Sequence, residues 1–296
     1  MDYFLIYFIL LLMVLLCVAF FTLLERSVLG YVQIRSGPNK VGFMGLLQPF
    51  SDALSLFTSE HNFPISSNWV MFMVSPVIGF LFSLLLWLVY PVMHYWFDFL
   101  YGLLFFFWVS SLGVYFIVGA GWFSNSSYAL LGKYRAVAQM ISYEVKMILV
   151  ILSLVMLESG YMLVMNVGSF FFFGFGYIYL LYMWLVCCLA ETYRSPFDFA
   201  EAESELVSGF NVEYGSGGFA LIFMFEYGSI MLVSLVSCIY FFGGLSFFFF
   251  AFMCLFLWVR GSLPRLRYDK LMMMAWKVYL PCSLSILLFI VVCVTC

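Results

Sequence analysis

Six of the fifteen acidic residues in the chain fall between Glu191 and Tyr214, in the stretch ETYRSPFDFAEAESELVSGFNVEY, which lies between two strongly apolar runs. Ser195-Pro196-Phe197-Asp198 matches a capping box with proline in the first turn, so the sequence predicts a short helix that starts there and stops at Gly209. On such a helix Asp198, Glu201 and Glu205 share one face, and like charges at that spacing repel by about 0.2–0.5 kcal/mol per exposed pair. Desolvation enlarges the repulsion and raises carboxyl pKa values toward neutrality, where a carboxyl takes up and releases protons. A proton relay is the chemical reading of the stretch. A solvated acidic loop is the other, because runs of charge commonly form hydrated faces.

Two further acids stand inside apolar runs. Glu144 lies in RAVAQMISYEVKM, about 16 Å along a helix that begins near Tyr134, and Glu226 lies about 10 Å into one that begins near Phe219. Both depths are within a bilayer, where a charge costs roughly 2.5–3.5 kcal/mol and is usually held by a partner or by water in a functional path. A structural polar contact between helices, which neutral Glu side chains also make, is the alternative. Lys146 interrupts the same pattern, so this helix should not turn that face to lipid.

The elements that must carry these acids follow from composition. With 66% hydrophobic and 9% charged residues over 296 positions, and a mean hydropathy of +1.11, the chain reads as an all-α polytopic membrane protein in a single domain. A soluble domain with 22% aromatic residues and so few charges would not stay soluble. Nucleic acid is excluded as a partner, because the net charge is -3 and no basic patch is interleaved with aromatics. The eight cysteines sit nearly all in apolar runs and read as small core hydrophobes. Cys293-Val-Thr-Cys296 has the spacing of a ligand pair but no second pair and no histidine, so no metal site is expected, and no cluster of ligands suits an iron–sulfur centre.

Eight spans are expected: Tyr3 to Leu24, Trp69 to Trp96, Phe99 to Gly121, Tyr134 to Glu158, Ser169 to Leu189, Phe219 to Phe242, Leu245 to Arg260 and Lys277 to Thr295. Glu25 and Arg26 end the first, and Arg35-Ser-Gly-Pro-Asn-Lys40 forms a turn. An amphipathic helix follows, with Phe43, Leu46, Leu47, Phe50, Leu54 and Phe57 on one face and Gln48, Ser51, Asp52, Ser55 and Ser59 on the other, and with Pro49 starting or kinking it. Its polar face carries acids rather than the Lys and Arg that meet lipid phosphates, so it is expected to face protein. Loops at 25–68, 122–133, 190–218 and 261–276 hold or border eleven of the twelve cations, which marks that side as the matrix or cytoplasmic one and puts both termini on the other. Met1-Asp2-Tyr3 has neither the basic start of a signal nor the Arg-rich character of a transit peptide, so insertion without a presequence is expected.

The segments GYVQIRSGPNKVGFMGLLQPFSDALSLFT, RAVAQMISYEVKM, AETYRSPFDFAEAESELVSGFNVEY, FEYGSI and LPRLRYDKLMMMAWK, in this order over nearly the whole length, closely resemble the subunit-1 family of NADH:ubiquinone oxidoreductase, respiratory complex I. The Phe-rich composition favours the mitochondrial branch and its inner membrane. The resemblance implies a subunit lining the ubiquinone chamber where the hydrophilic arm meets the membrane arm. It also implies small neighbouring membrane subunits, and FMN and iron–sulfur clusters carried only by partner subunits. By matching positions, Arg26, Arg35, Asp52, Arg265 and Arg267 fall in or beside the quinone passage, with Leu54 and Phe57 on the amphipathic helix that frames it. Glu191, Asp198, Glu201 and Glu205 fall in the acidic loop, and Glu144 and Glu226 continue a proton path inward. The chain departs from the family at Ser55 and Ser59, where lysine is common. A self-sufficient ion or metabolite transporter could use the same buried acids, but the halves of the chain show no internal repeat of the kind transporters often carry.

Overall fold

The computed structural model describes residues 2–91, 101–158, 160, 177–200 and 208–295, and among them every regular element is a helix. In chain order these are α1 (Asp2–Val32), α2 (Gln48–Thr58), α3 (Trp69–Leu86), α4 (Gly102–Phe123), α5 (Ser127–Glu158), α6 (Ile178–Glu191), α7 (Ser216–Phe242), α8 (Ser246–Ser262), α9 (Tyr268–Met274) and α10 (Leu280–Thr295). A π turn over Ala275–Tyr279 joins α9 to α10, and the three make one apolar rod from Tyr268 to Val294. Among the described residues six helices are long and apolar enough to cross a membrane. Two more, α6 with 14 residues and α8 with 17, are apolar but shorter. The chain is an all-α membrane protein.

Burial ranks the spans. The apolar window of α7 is 67% buried, against 22% for α1 and 17% for the final rod, so α7 is the central post and the first and last helices are the rim. One core cluster joins α7 to α1, α5, α6 and α8 through Trp184, Tyr240, Phe241 and Phe256. The other joins it to α3, α4 and α5 through Phe116, Phe210, Phe225 and Tyr214. Tyr214 stacks on Phe72 at 4.1 Å and shares a hydrogen bond with Ser75, 2.9 Å away, which ties the loop before α7 to α3.

Several boundaries differ from expectation. The first helix runs to Val32 rather than ending at Glu25 and Arg26, because the Glu25 charge is neutralised inside the fold and the chain has no need to leave the apolar layer there. No helix begins at Ser195. Residues 195–200 are turns whose carbonyls serve the tertiary fold instead: Pro196 O accepts from Leu266 N at 3.1 Å, and Phe197 O accepts from Gln139 Nε2 at 2.7 Å. Glu201 and Glu205, expected to share one face with Asp198, lie outside the described residues. α3 gives way to a 3-10 turn at Trp87–Val89, short of Trp96. The last rod begins at Tyr268, and α5 begins at Ser127. A helix forms at Gln48–Thr58, with Pro49 in its first turn as its missing N–H allows.

Candidate functional site

The end of α6 and the loop after it are held against α5 by one glutamine. Gln139 Nε2 donates to Ala190 O and to Phe197 O, both at 2.7 Å, and Tyr193 OH donates to Ala136 O at 3.4 Å. A few residues away, Gly132 lets the chain at Gly209 press on α5: a Cβ there would stand 2.8 Å from Gly209 Cα and from Phe210 N. These contacts fix Glu191, Tyr193, Arg194 and Asp198 relative to the membrane helices.

Glu25 of α1 is the most enclosed acid among the described residues, 4% exposed. Its carboxylate accepts from Arg194 Nη1 at 3.3 Å, from Arg260 Nη1 and from Tyr227 OH at 2.5 Å. Arg194 also lies 4.6 Å above the Tyr227 ring. Burial works against the Arg194 charge, but Glu25, Tyr227 and Glu226 outweigh it and hold the guanidinium above its ordinary value. This is a fixed ion cluster, with Glu25 and Arg194 buried, Arg260 at its partly exposed edge and the charges hydrogen-bonded.

Beside it lies a cavity of about 30 Å³, lined by Glu191 and Glu226 with Ser110, Ser229, Tyr193 and Met140. That volume suits one or two waters, and the serines and carboxyls supply polar partners. Oε2 of Glu191 is buried and makes no hydrogen bond. Glu144, half-buried on α5, lies within electrostatic reach of Glu191. Tyr193 reports the same field: burial first, then the Glu191 and Glu226 carboxylates, push its phenol well above the usual range. Among the described residues the acids thus form a string, Glu25–Arg194–Glu226–cavity–Glu191–Glu144. Asp198 is buried at its flank and pairs with Arg265 at 3.0 Å.

The residues matched to the quinone passage divide. Arg26 pairs with Asp52, which also accepts from Gln48 Nε2 at 2.8 Å, so α1 and α2 are clipped together there. Leu54 and Phe57 are exposed, and Phe57 lies against the position of Gly217 at the start of α7. Arg35 donates to Gln33 in its own turn, and Arg267 pairs with Asp269 at the surface, so neither joins the Arg26–Asp52 clip. Sequence reasoning missed Glu25, Arg260 and Tyr227 as members of the site. The signal available was an acid after an apolar run whose pattern continues through Val28, Leu29 and Val32, together with an arginine closing α8 with no acid near it in sequence.

The model of a family described as NADH dehydrogenase matches residues 5–291. A protein of Anopheles gambiae named NADH-ubiquinone oxidoreductase chain 1 is 54% identical over 287 residues, 93% of this chain and 90% of that one. Proteins of the same name from Heterololigo bleekeri and Paracentrotus lividus are 53% and 47% identical, covering 95% and 93% of this chain and 93% and 90% of their own lengths.

Proposed function

The chain belongs to the NADH dehydrogenase family, and from that premise we propose that it is a core membrane subunit of a proton-pumping NADH:ubiquinone oxidoreductase of the mitochondrial inner membrane. On this reading it crosses the membrane eight times, with α6 and α8 as two of the spans and both termini on the intermembrane-space side. It lines the ubiquinone chamber with the Arg26–Asp52 clip and the apolar face of α2. FMN and iron–sulfur clusters belong to the hydrophilic-arm partners, which deliver electrons from NADH.

The observation that carries the proposal is the string of buried acids around a water-sized cavity. Reducing ubiquinone to ubiquinol draws protons to the chamber and changes the charge beside Glu25. Arg194 lies between Glu25 and Glu226, so a charge change at one end alters the proton affinity at the other. Glu191, with a free buried oxygen facing a hydratable space, takes up or gives up the proton that Glu226 exchanges, and Glu144 passes the change into α5.

The test is Glu144→Gln and Glu226→Gln in the assembled complex. Glutamine keeps the shape and the hydrogen-bonding capacity and removes the titratable proton. NADH:ubiquinone turnover should fall while NADH oxidation by an artificial acceptor at the flavin continues. Both activities intact would reject the relay.

A further inference from the structure

A second cavity, about 520 Å³, lies between α1, α7 and α8, and no charged side chain lines it. It follows α1 from Leu10 to Leu24, roughly 21 Å at the helical rise of 1.5 Å per residue. Met13 and Phe20 on its rim are exposed. A groove of this kind between membrane helices opens onto hydrocarbon, where lipid reaches it. The volume is that of a site for one molecule.

The end of the groove remote from Glu25 carries an unpaired donor. Trp87 lines it, is 6% exposed, and its Nε1–H has no hydrogen-bond partner. A buried N–H without an acceptor is costly, and nearly all such groups in folded proteins are satisfied. Trp87 and Tyr90 follow α3, eighteen residues and about 27 Å from its start, which is the depth of the opposite membrane interface, where indoles meet lipid ester groups.

We propose that this groove is a binding site for a glycerophospholipid of the leaflet opposite the acidic loop, with one acyl chain along α1 and an ester carbonyl accepting from Trp87 Nε1. An isoprenoid tail with its polar head at the Arg26–Asp52 end would leave the indole unpaired. The lipid braces α1 against α7 and α8, and so supports the helix that carries Glu25. The proposal stands whether or not the acids carry protons.

The purified complex, washed in detergent and given phosphatidylcholine with a photoreactive group in its acyl chain, tests it by peptide mass spectrometry. Adducts should form on residues 10–24 and 231–253 and outlast those on the exposed Leu284 and Leu288 of α10. Cys17→Trp, which fills the groove, should remove the first set and leave the second. Trp87→Phe, which keeps a six-membered aromatic ring but loses the N–H with the rest of the indole, should loosen retention at least roughly two- to tenfold, the range of one net hydrogen bond, and it keeps the test valid if the bulkier variant fails to assemble. Groove adducts no more persistent than those on α10, retention unchanged in Trp87→Phe, displacement by a photoreactive ubiquinone, or cross-linking to a neighbouring subunit in place of lipid would each overturn the proposal.

Discussion

Two buried polar regions meet at Arg194 and solve opposite problems. Around Glu25 one carboxylate is surrounded by two guanidiniums and a phenol, every one within hydrogen-bond range. Around the small cavity two carboxyl side chains face serines and space for water, and no arginine or lysine lines the wall. The first arrangement holds charge in place. At Glu191 the second leaves the proton as the cheapest means of balancing charge, because an ionised carboxylate in a dry site is penalised until it is protonated or hydrated. On the proposed function, the chain keeps a scaffold and moves protons, and the two kinds of site serve these two tasks side by side.

The contrast predicts its own largest effect. Glu25→Ala leaves Arg194 and Arg260 without their counter-ion, and breaking a buried pair costs about 3–5 kcal/mol. The assembled complex should become scarce on native gels. If instead it assembles normally, the cluster is not the fixed scaffold described. Next in size, Gly132→Ala pushes a methyl into Gly209 and Phe210, and overpacking of this kind costs about 1–3 kcal/mol. The acidic loop should lift from α5, seen as faster proteolysis at residues 195–215 and reduced quinone turnover. Tyr214→Phe removes the hydrogen bond to Ser75 but keeps the stack on Phe72, so a loss of about 0.5–1.5 kcal/mol is expected in thermal unfolding of the complex. The smallest effect belongs to Arg267→Ala. Its ion pair with Asp269 is exposed at both ends and contributes less than about 1 kcal/mol. Unchanged stability with altered ubiquinone reduction would keep Arg267 in the passage; both unchanged would remove it.

Much of the architecture was legible in the chain because membrane helices advertise themselves by length and hydropathy. Glu144 and Glu226 do fall inside long apolar helices, although the one carrying Glu144 begins seven residues earlier than its pattern suggested, and a helix does form at Gln48–Thr58 with Pro49 in its first turn. What escaped was tertiary. Glu25 looks like a helix stop when read along the chain, since nothing nearby in sequence reveals that Arg194 and Arg260, 169 and 235 positions away, neutralise it. Ser195-Pro196-Phe197-Asp198 has the local form of a helix start, but Gln139 and Leu266 take the carbonyls that a first turn would use. In each case a long-range partner outweighed a local preference that was real but small.

The contrast between fixed and exchangeable charge is tested most directly by infrared difference spectra of the assembled complex, recorded before and after ubiquinone reduction, for the native chain and for Glu191→Gln. A carboxylic acid C=O band should change on reduction in the native complex and be lost or shifted in the variant, while bands from the Glu25 cluster stay constant. A spectrum with no carboxylic acid change, or one identical in Glu191→Gln, would contradict the assignment of the cavity as a proton-exchanging site.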